Sequence, residues 1–400
     1  MIDIAIYGGS FNPPHTGHVR AVSAAKAQLQ PHKLFLVPDY EPPHKQLDRG
    51  SPSPVQRLEL TRRMARSIPG AETLDLEINR AGKSYTSDTL VEMAAKYPKC
   101  RLCFLMGTDM FLTLDEWHEP EVITRLAAIG VFARSAGERE AIERKKAEVE
   151  RRYGASVIVI GSEPIDISSS ELRALLPQRK GSGYIPDAVY AEIIRQRLYG
   201  AKPELAWLRE KAYAHLKPKR VPHVAGTEQE AVRLAKRWGE DEGDAAEAAI
   251  LHDITKRLSH EEQLHLCQSY GIITDNLETA NEKLLHARTG AALSKDLFGV
   301  PEHIESAIRW HTTGRPEMTR LEQIVYLADY IEPTRQGFPG LEQLRRAAYE
   351  DLDGAMALAL NMSWQEVTEK GWPFHENSAN AKKYYEALCK RKGLETVVIK

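Results

Sequence analysis

Hydrophobic patterning changes character near residue 200, and that change limits what the chain can fold into. Before it, the apolar runs at 2–7, 34–37, 102–106, 129–132 and 157–160 alternate with stretches of helical periodicity. Such alternation is the mark of β-α-β units, so the first half is expected to be an α/β domain with a parallel sheet. After it, strand-like runs nearly vanish until the C-terminal tail, and helical periodicity runs from Pro203 to about Lys392. The second half is expected to be all-α. Gly181-Ser182-Gly183 looks like a linker, but 188–198 then reads as one more amphipathic helix. The boundary is therefore placed at Tyr199 to Lys202, giving domains 1–200 and 201–400.

Two domains also suit the length, since 400 residues exceed what one core usually serves. A formal charge of −2 gives no basic excess for nucleic acid. The longest apolar runs fall short of the roughly 20 residues of a membrane span, and Met1 leads straight into a strand. A cytoplasmic protein without nucleic-acid or membrane partners is expected. Cys100, Cys103, Cys267 and Cys389 are scattered, and the one C-x-x-C has no second pair to complete a zinc site, so all four are read as reduced core residues.

The string Gly8-Gly9-Ser10-Phe11-Asn12-Pro13-Pro14-His15-Thr16-Gly17-His18 follows the first apolar run and precedes a helical stretch from Val19 to about Leu29. Gly8 and Gly9 allow backbone N–H groups to approach an anion, and the helix N-terminus adds partial positive charge there. His15 and His18, three apart, share a face and can meet one phosphate chain. Downstream, Ser168 and Glu171 have capping-box spacing in Ile167-Ser168-Ser169-Ser170-Glu171-Leu172-Arg173, so a helix is expected to start there and, with Arg173, to hold phosphates. The first string resembles the HxGH nucleotidyltransferases, and its full form resembles bacterial nicotinate mononucleotide adenylyltransferase, with Asn12 where that family often has Asp. The second resembles the family's ISSTxIR motif, with Ser170 for Thr and Leu172 for Ile.

The resemblance implies a Rossmann-like nucleotidyltransferase domain that joins nicotinate mononucleotide to the AMP part of ATP and releases pyrophosphate. Gly8, Gly9, Ser10, Phe11, Ile167, Ser168 and Ser169 would bind substrate, with His15, His18 and Arg173 catalytic and Mg²⁺ arriving on ATP. In Lys83-Ser84-Tyr85-Thr86-Ser87-Asp88-Thr89-Leu90 the segment around Tyr85 and Thr86 would offer backbone N–H groups to the nicotinate carboxylate. Trp117 would pack on the pyridine ring, with Asp109 nearby after the strand at 102–106. Lys45, in Pro42-Pro43-His44-Lys45, is a weaker phosphate candidate. A phosphopantetheine acceptor fits less well, because of His15 and the 84–90 segment.

In the second half, His223, the pair His252-Asp253 and Asp329 follow the order H, HD, D, with the pair placed in an apolar helix from Ala248. Imidazole and carboxylate ligands on separate helices can bind a divalent metal that activates water at phosphorus. An ionisable pair directly after Ile250-Leu251 is costly to bury without a partner. The order resembles the HD phosphohydrolases, and the segments RVPHVAGT, LHDITK, LLHARTGA, RWHTTG and LADYIEPTR resemble the bacterial HD family that cleaves diadenosine tetraphosphate to two ADP. That resemblance implies an HD-type helical domain with one or two divalent ions, iron by family and manganese, nickel or zinc equally by ligand type. His286 and His311 fit second-metal positions, with Asp253 bridging. His215, His260, His265, His303 and His375 lie among polar residues and are read as solvated. The chain is thus expected to act on ATP, nicotinate mononucleotide and diadenosine tetraphosphate. The alternatives are a non-catalytic, nucleotide-sensing helical domain and an HD domain acting on another phosphate ester. The sequence sets no oligomeric state.

Overall fold

The computed structural model describes residues 2–44, 46–133, 136–161 and 167–393, and it divides into two compact units, Met1–Lys202 and Pro203–Lys400. The first unit contains six strands: β1 (Ile4–Gly9), β2 (Lys33–Pro38), β3 (Ala71–Thr73), β4 (Leu102–Gly107), β5 (Ala127–Ala133) and β6 (Val157–Gly161). They form one sheet in the order β3-β2-β1-β4-β5-β6, every pair parallel. Strands such as Leu102-Cys103-Phe104-Leu105-Met106 are apolar throughout rather than alternating, because helices cover both faces of a parallel sheet. The edge strand β3 had no apolar signal: Ala71-Glu72-Thr73 is short and at least partly exposed.

Strand order reverses between β1 and β4, and in such sheets ligands collect at the carboxyl ends of the two strands flanking the reversal. The Gly8–His18 segment leaves β1 there, and Thr108 and Asp109 follow β4. One local expectation changes. Gly181, at φ 102°, opens a 3-10 turn over Ser182–Tyr184 within the first unit. The last helix is Asp187–Arg195, shorter than 188–198, because Arg197 and Tyr199 adopt φ of 49° and 60° and turn the chain.

The second unit is helical from Leu205–Tyr213 to Glu376–Arg391, with no strand among the described residues. The C-terminal apolar tail lies outside them. Its centre is the helix Glu242–Leu251, whose Ala245, Ala246, Ala248, Ala249, Ile250 and Leu251 are all fully buried. Four alanines let the neighbouring helices Val221–Trp238 and Arg320–Ile331 approach closely, so polar groups on or just beyond these elements are drawn into a dry interior. Of the cysteines, Cys103, Cys267 and Cys389 are buried and Cys100 half-buried, and all four are free.

Packing in the sheet is tight enough to be tested at one position. A methyl group on Gly130 would stand 2.6 Å from Leu105 Cδ2 and 3.0 Å from Ile160 Cδ1. Gly130→Ala is expected to destabilise the first unit by about 1–3 kcal/mol through overpacking, read as a lower urea midpoint, and an unchanged midpoint contradicts it.

Candidate functional sites

The helix Thr16–Leu29 begins three residues before its apolar periodicity because the two histidines build its start. His15 is the N-cap: its Nδ1 accepts from Gly17 N–H at 3.1 Å, while His18 Nδ1 accepts from His15 N–H at 3.1 Å. The motif is thus a capping box in imidazole form. A backbone N–H can only donate, so both Nδ1 atoms are unprotonated and each neutral ring carries its proton on Nε2. The ring centroids are 3.9 Å apart, which places two N–H donors together at a helix N-terminus, where anions are favoured.

The glycines before them are also places of close packing. Both end β1, and a Cβ on Gly8 would stand 3.0 Å from the Phe104 ring. The positive φ falls instead on Phe11, at 46°, whose buried ring packs edge-on against Tyr7. Ser10 donates its hydroxyl to Asp39 at 2.6 Å. Arg57, fully buried, reaches Asp39 at 2.8 Å, Ser10 O at 2.9 Å and Tyr40 O at 2.9 Å, so it fastens the turns after β1 and β2 together. The helix Ser169–Leu175 starts as expected, with Ser168 and Glu171 closing a capping box and Ile167 half-buried before it. Ser169 Oγ donates to Pro13 O at 3.1 Å and Arg173 Nη1 to Asn12 O at 2.8 Å, while Arg173 also pairs with Asp48. The two phosphate motifs are therefore physically joined.

A second cluster gathers the loops expected to meet the pyridine. Tyr85 is the N-cap of the helix Thr86–Lys96 and supplies no side-chain hydrogen bond to the helix start. Its ring lies 4.3 Å from that of His118, and the Trp117 ring 5.2 Å from that of His44. Trp117 Nε1 is buried without a hydrogen-bond partner among the described residues. Asp109 stands exposed at the second position of the helix Thr108–Leu112. Lys45 lies outside the described residues.

In the second unit, all six expected ligands converge. His223 Nε2 lies 2.9 Å from Asp329 Oδ1, and His252 Nε2 is 3.5 Å from Asp253 Oδ2 and 3.9 Å from Asp329 Oδ1. On the other side of the same carboxylate, Asp253 Oδ1 is 3.2 Å from His286 Nε2 and 3.9 Å from His311 Nε2. Contrary to expectation, His252 and Asp253 sit not within a helix but in the turn after Glu242–Leu251, and His311 likewise follows Glu302–Trp310. That position lets His252 Nδ1 donate to Ala249 O and His311 Nδ1 to Ile308 O, each at 2.6 Å. His223 Nδ1 donates to Glu332 Oε1 at 3.1 Å. In the neutral rings these bonds leave the Nε2 lone pairs facing the carboxylates.

Burial opposes charge on Asp253 and Asp329, yet His252 and His286 beside the first, and His223 and His252 beside the second, hold both well below the usual carboxylate range. Burial drives His311 well below the ordinary imidazole value, helped by His286 and His252, whereas for His252 the neighbouring aspartates outweigh burial and raise it. Among the described residues, His223 Nε2, His252 Nε2 and Asp253 Oδ1 are buried with no hydrogen-bond partner. Charged oxygens and unmatched nitrogen lone pairs in one dry pocket fit a divalent cation.

Comparison with known proteins follows the same division. Residues 6–175 match the cytidylyltransferase-like family and 220–334 the HD domain. A probable nicotinate-nucleotide adenylyltransferase of Marinobacter nauticus is 34% identical over 213 residues, covering 50% of this chain and 97% of that protein. A symmetrical bis(5'-nucleosyl)-tetraphosphatase of Halalkalibacterium halodurans is 40% identical over 165 residues, covering 41% and 87% respectively. A crystal structure of a predicted HD superfamily hydrolase from Clostridium acetobutylicum aligns at 37% identity and a TM-score of 0.44, over 45% of this chain and 96% of that one. The chain belongs to the cytidylyltransferase-like family in its first half and to the HD family in its second.

Within this two-family frame, several groups at the sites escaped sequence reasoning. Asp39 and Arg57 lie far in sequence from the turn they hold. Glu332 sits inside a motif already noted, but its role needs the fold: it orients His223 while Thr334 N–H and Oγ1 each donate to it at 2.6 Å. A Cβ on Gly226 would come within 2.4 Å of Glu332 Oε2, which explains the glycine of RVPHVAGT. His375 corrects an expectation: it is buried, and caps Glu376–Arg391 by accepting from Asn377 N–H. His215 and His260 are half-buried, and His265 and His303 are exposed. Glu332→Gln is expected to weaken Mn²⁺ binding by about ten- to a hundredfold, the usual effect of losing a carboxylate behind a ligating imidazole. Calorimetric titration checks this, and unchanged affinity contradicts it.

Proposed function

We propose that the first unit transfers the adenylyl group of ATP to nicotinate mononucleotide, giving nicotinate adenine dinucleotide and pyrophosphate. The observation that carries this reading is the imidazole capping box, which presents His15 and His18 as paired Nε2–H donors. The mononucleotide phosphate is already a nucleophile, so the protein must align it with the α-phosphorus and offset charge as pyrophosphate leaves. His18 is assigned to the α-phosphate, His15 and Arg173 to the remaining phosphate oxygens, and Mg²⁺ enters with ATP. The backbone of Gly8, Gly9, Ser10 and Phe11 lines the approach of the triphosphate, with Ile167, Ser168 and Ser169 opposite. Lys45 is assigned a supporting phosphate contact. Tyr85 and Thr86 open a helix without a side-chain cap and suit the carboxylate, while Trp117 supplies the ring face and Asp109 a polar group beside it.

His18→Ala is expected to lower kcat about a hundred- to a thousandfold while the protein still folds, with only the modest loss of stability that goes with one missing capping bond. A normal rate overturns the assignment. Because a helix N-terminus favours a carboxylate over a neutral amide, kcat/KM for nicotinate mononucleotide should exceed that for nicotinamide mononucleotide about tenfold or more. Equal values remove the role given to Tyr85 and Thr86.

For the second unit we propose metal-dependent hydrolysis of diadenosine tetraphosphate to two ADP, supported by the 40% identity to a protein of that activity and by the buried, unmatched ligand atoms. His223, His252, Asp253 and Asp329 would hold one ion, Fe²⁺ or Mn²⁺, and His286 and His311, sharing Asp253, a second. A divalent ion held there would lower the pKa of water and offset charge on the attacked phosphate. The chain's own part is orientation: Ala249 O, Ile308 O and Glu332 fix the rings, and the buried helix ends exclude bulk solvent. His252→Ala or Asp253→Ala should remove bound metal and ADP release together and leave adenylyl transfer unchanged. His286→Ala or His311→Ala should weaken the second ion more than the first. A metal-reconstituted protein that binds nucleotide but releases no ADP favours a sensing role instead.

A further inference from the structure

Three cations lean on the ligand carboxylates from outside. Arg220 places Nε 2.5 Å from Asp253 Oδ2, the oxygen that also faces His252. Arg335 places Nη2 3.0 Å from Asp329 Oδ1 and donates Nε to Asp329 O at 3.1 Å. Lys256 Nζ lies 2.9 Å from His286 Nε2 and 3.8 Å from Asp253 Oδ1. They come from three separate turns, before Val221–Trp238, after Glu242–Leu251 and after Arg320–Ile331. Asp253 is 1% exposed, whereas the side chains of Arg220, Lys256 and Arg335 are 28%, 32% and 38% exposed. The three form a positive rim between the buried ligands and solvent.

Charge and geometry together say what such a rim is for. Asp253, Asp329 and Glu332 carry three negative charges, and Arg220, Lys256 and Arg335 carry three positive ones. A divalent ion added to this balanced set leaves a surplus of positive charge at the mouth of the site. The guanidinium groups contact the same oxygens that an ion would take, so any anion bound to that ion lies within reach of both. Guanidinium forks match phosphate oxygens two at a time, and partly desolvated pairs of this kind bind strongly. Resting on the phosphohydrolase reading above, we infer that Arg220 and Arg335, aided by Lys256, are counter-ions of the ligand carboxylates that turn to the substrate once metal is present. They form a clamp for adjacent phosphates of a polyphosphate chain, selecting chains over a single phosphate.

The test uses the full chain, titrated first with Mn²⁺ and then, metal-loaded, with inorganic triphosphate and with inorganic phosphate. Arg220→Gln and Arg335→Gln should bind Mn²⁺ as well as the unaltered protein or better, because a competing cation has gone. Triphosphate affinity should fall about ten- to a hundredfold in each, and phosphate affinity much less. Arg220→Lys and Arg335→Lys, which keep charge but lose the fork, should fall between. Weaker Mn²⁺ binding with triphosphate affinity unchanged would make the arginines supports of the carboxylates and overturn the clamp. An equal loss for phosphate and triphosphate would overturn the selection of chains. Failure of the unaltered protein to bind Mn²⁺ would instead overturn the metal reading on which the clamp rests.

Discussion

What an imidazole can do is decided by the bond its Nδ1 makes, and both sites depend on that bond. In the first unit Nδ1 of His15 and His18 accepts from backbone N–H groups, so Nε2 is left as a donor. In the second, Nδ1 of His252 and His311 donates to carbonyls and that of His223 to a carboxylate, so Nε2 is left with a lone pair. One residue type is thereby left in opposite forms: a hydrogen-bond donor in one unit, a lone pair in the other. The first uses the unpaired N–H groups of a helix start; the second uses the unpaired carbonyls of helix ends for His252 and His311 and the distant Glu332 for His223.

The folds make those local bonds serve a site. In the sheet, the reversal of order between β1 and β4 leaves a crevice, and the buried Arg57–Asp39 pair locks the turn that borders it. Burying that pair is repaid only because the guanidinium also satisfies two carbonyls. In the bundle, an alanine-rich helix draws its neighbours close enough for ligands from separate segments to meet, and Asp253 turns one oxygen toward each group of imidazoles. Desolvation of the two aspartates is unfavourable unless cations surround them, which is why three basic side chains lean inward.

The strands of the sheet, the helical second half and the convergence of the six histidine and aspartate ligands were legible in the sequence, because periodicity and motif order are one-dimensional signals. The three-residue β3 carried no periodicity to detect. The capping role of His15 and His18 was hidden behind the phosphate contacts expected of them, since the same spacing suits both. His375 was misread because its polar sequence neighbours are not its spatial ones: it packs beside Asp275 and Glu278, about a hundred residues away in the chain. Asp39, Arg57 and Glu332 act across long sequence separations, where only the fold can pair them. At Gly8 and Gly9 the sequence could not show the close packing beside Phe104 and Phe11.

The imidazole account is tested most directly by the side-chain ¹⁵N resonances of the histidines in the full chain loaded with diamagnetic Zn²⁺ in mildly alkaline solution. It predicts the proton on Nε2 in His15 and His18, and on Nδ1, with Nε2 bound to metal, in His223, His252 and His311. Nδ1–H tautomers at His15 and His18, or Nε2–H at His252 and His311 with zinc present, would contradict it.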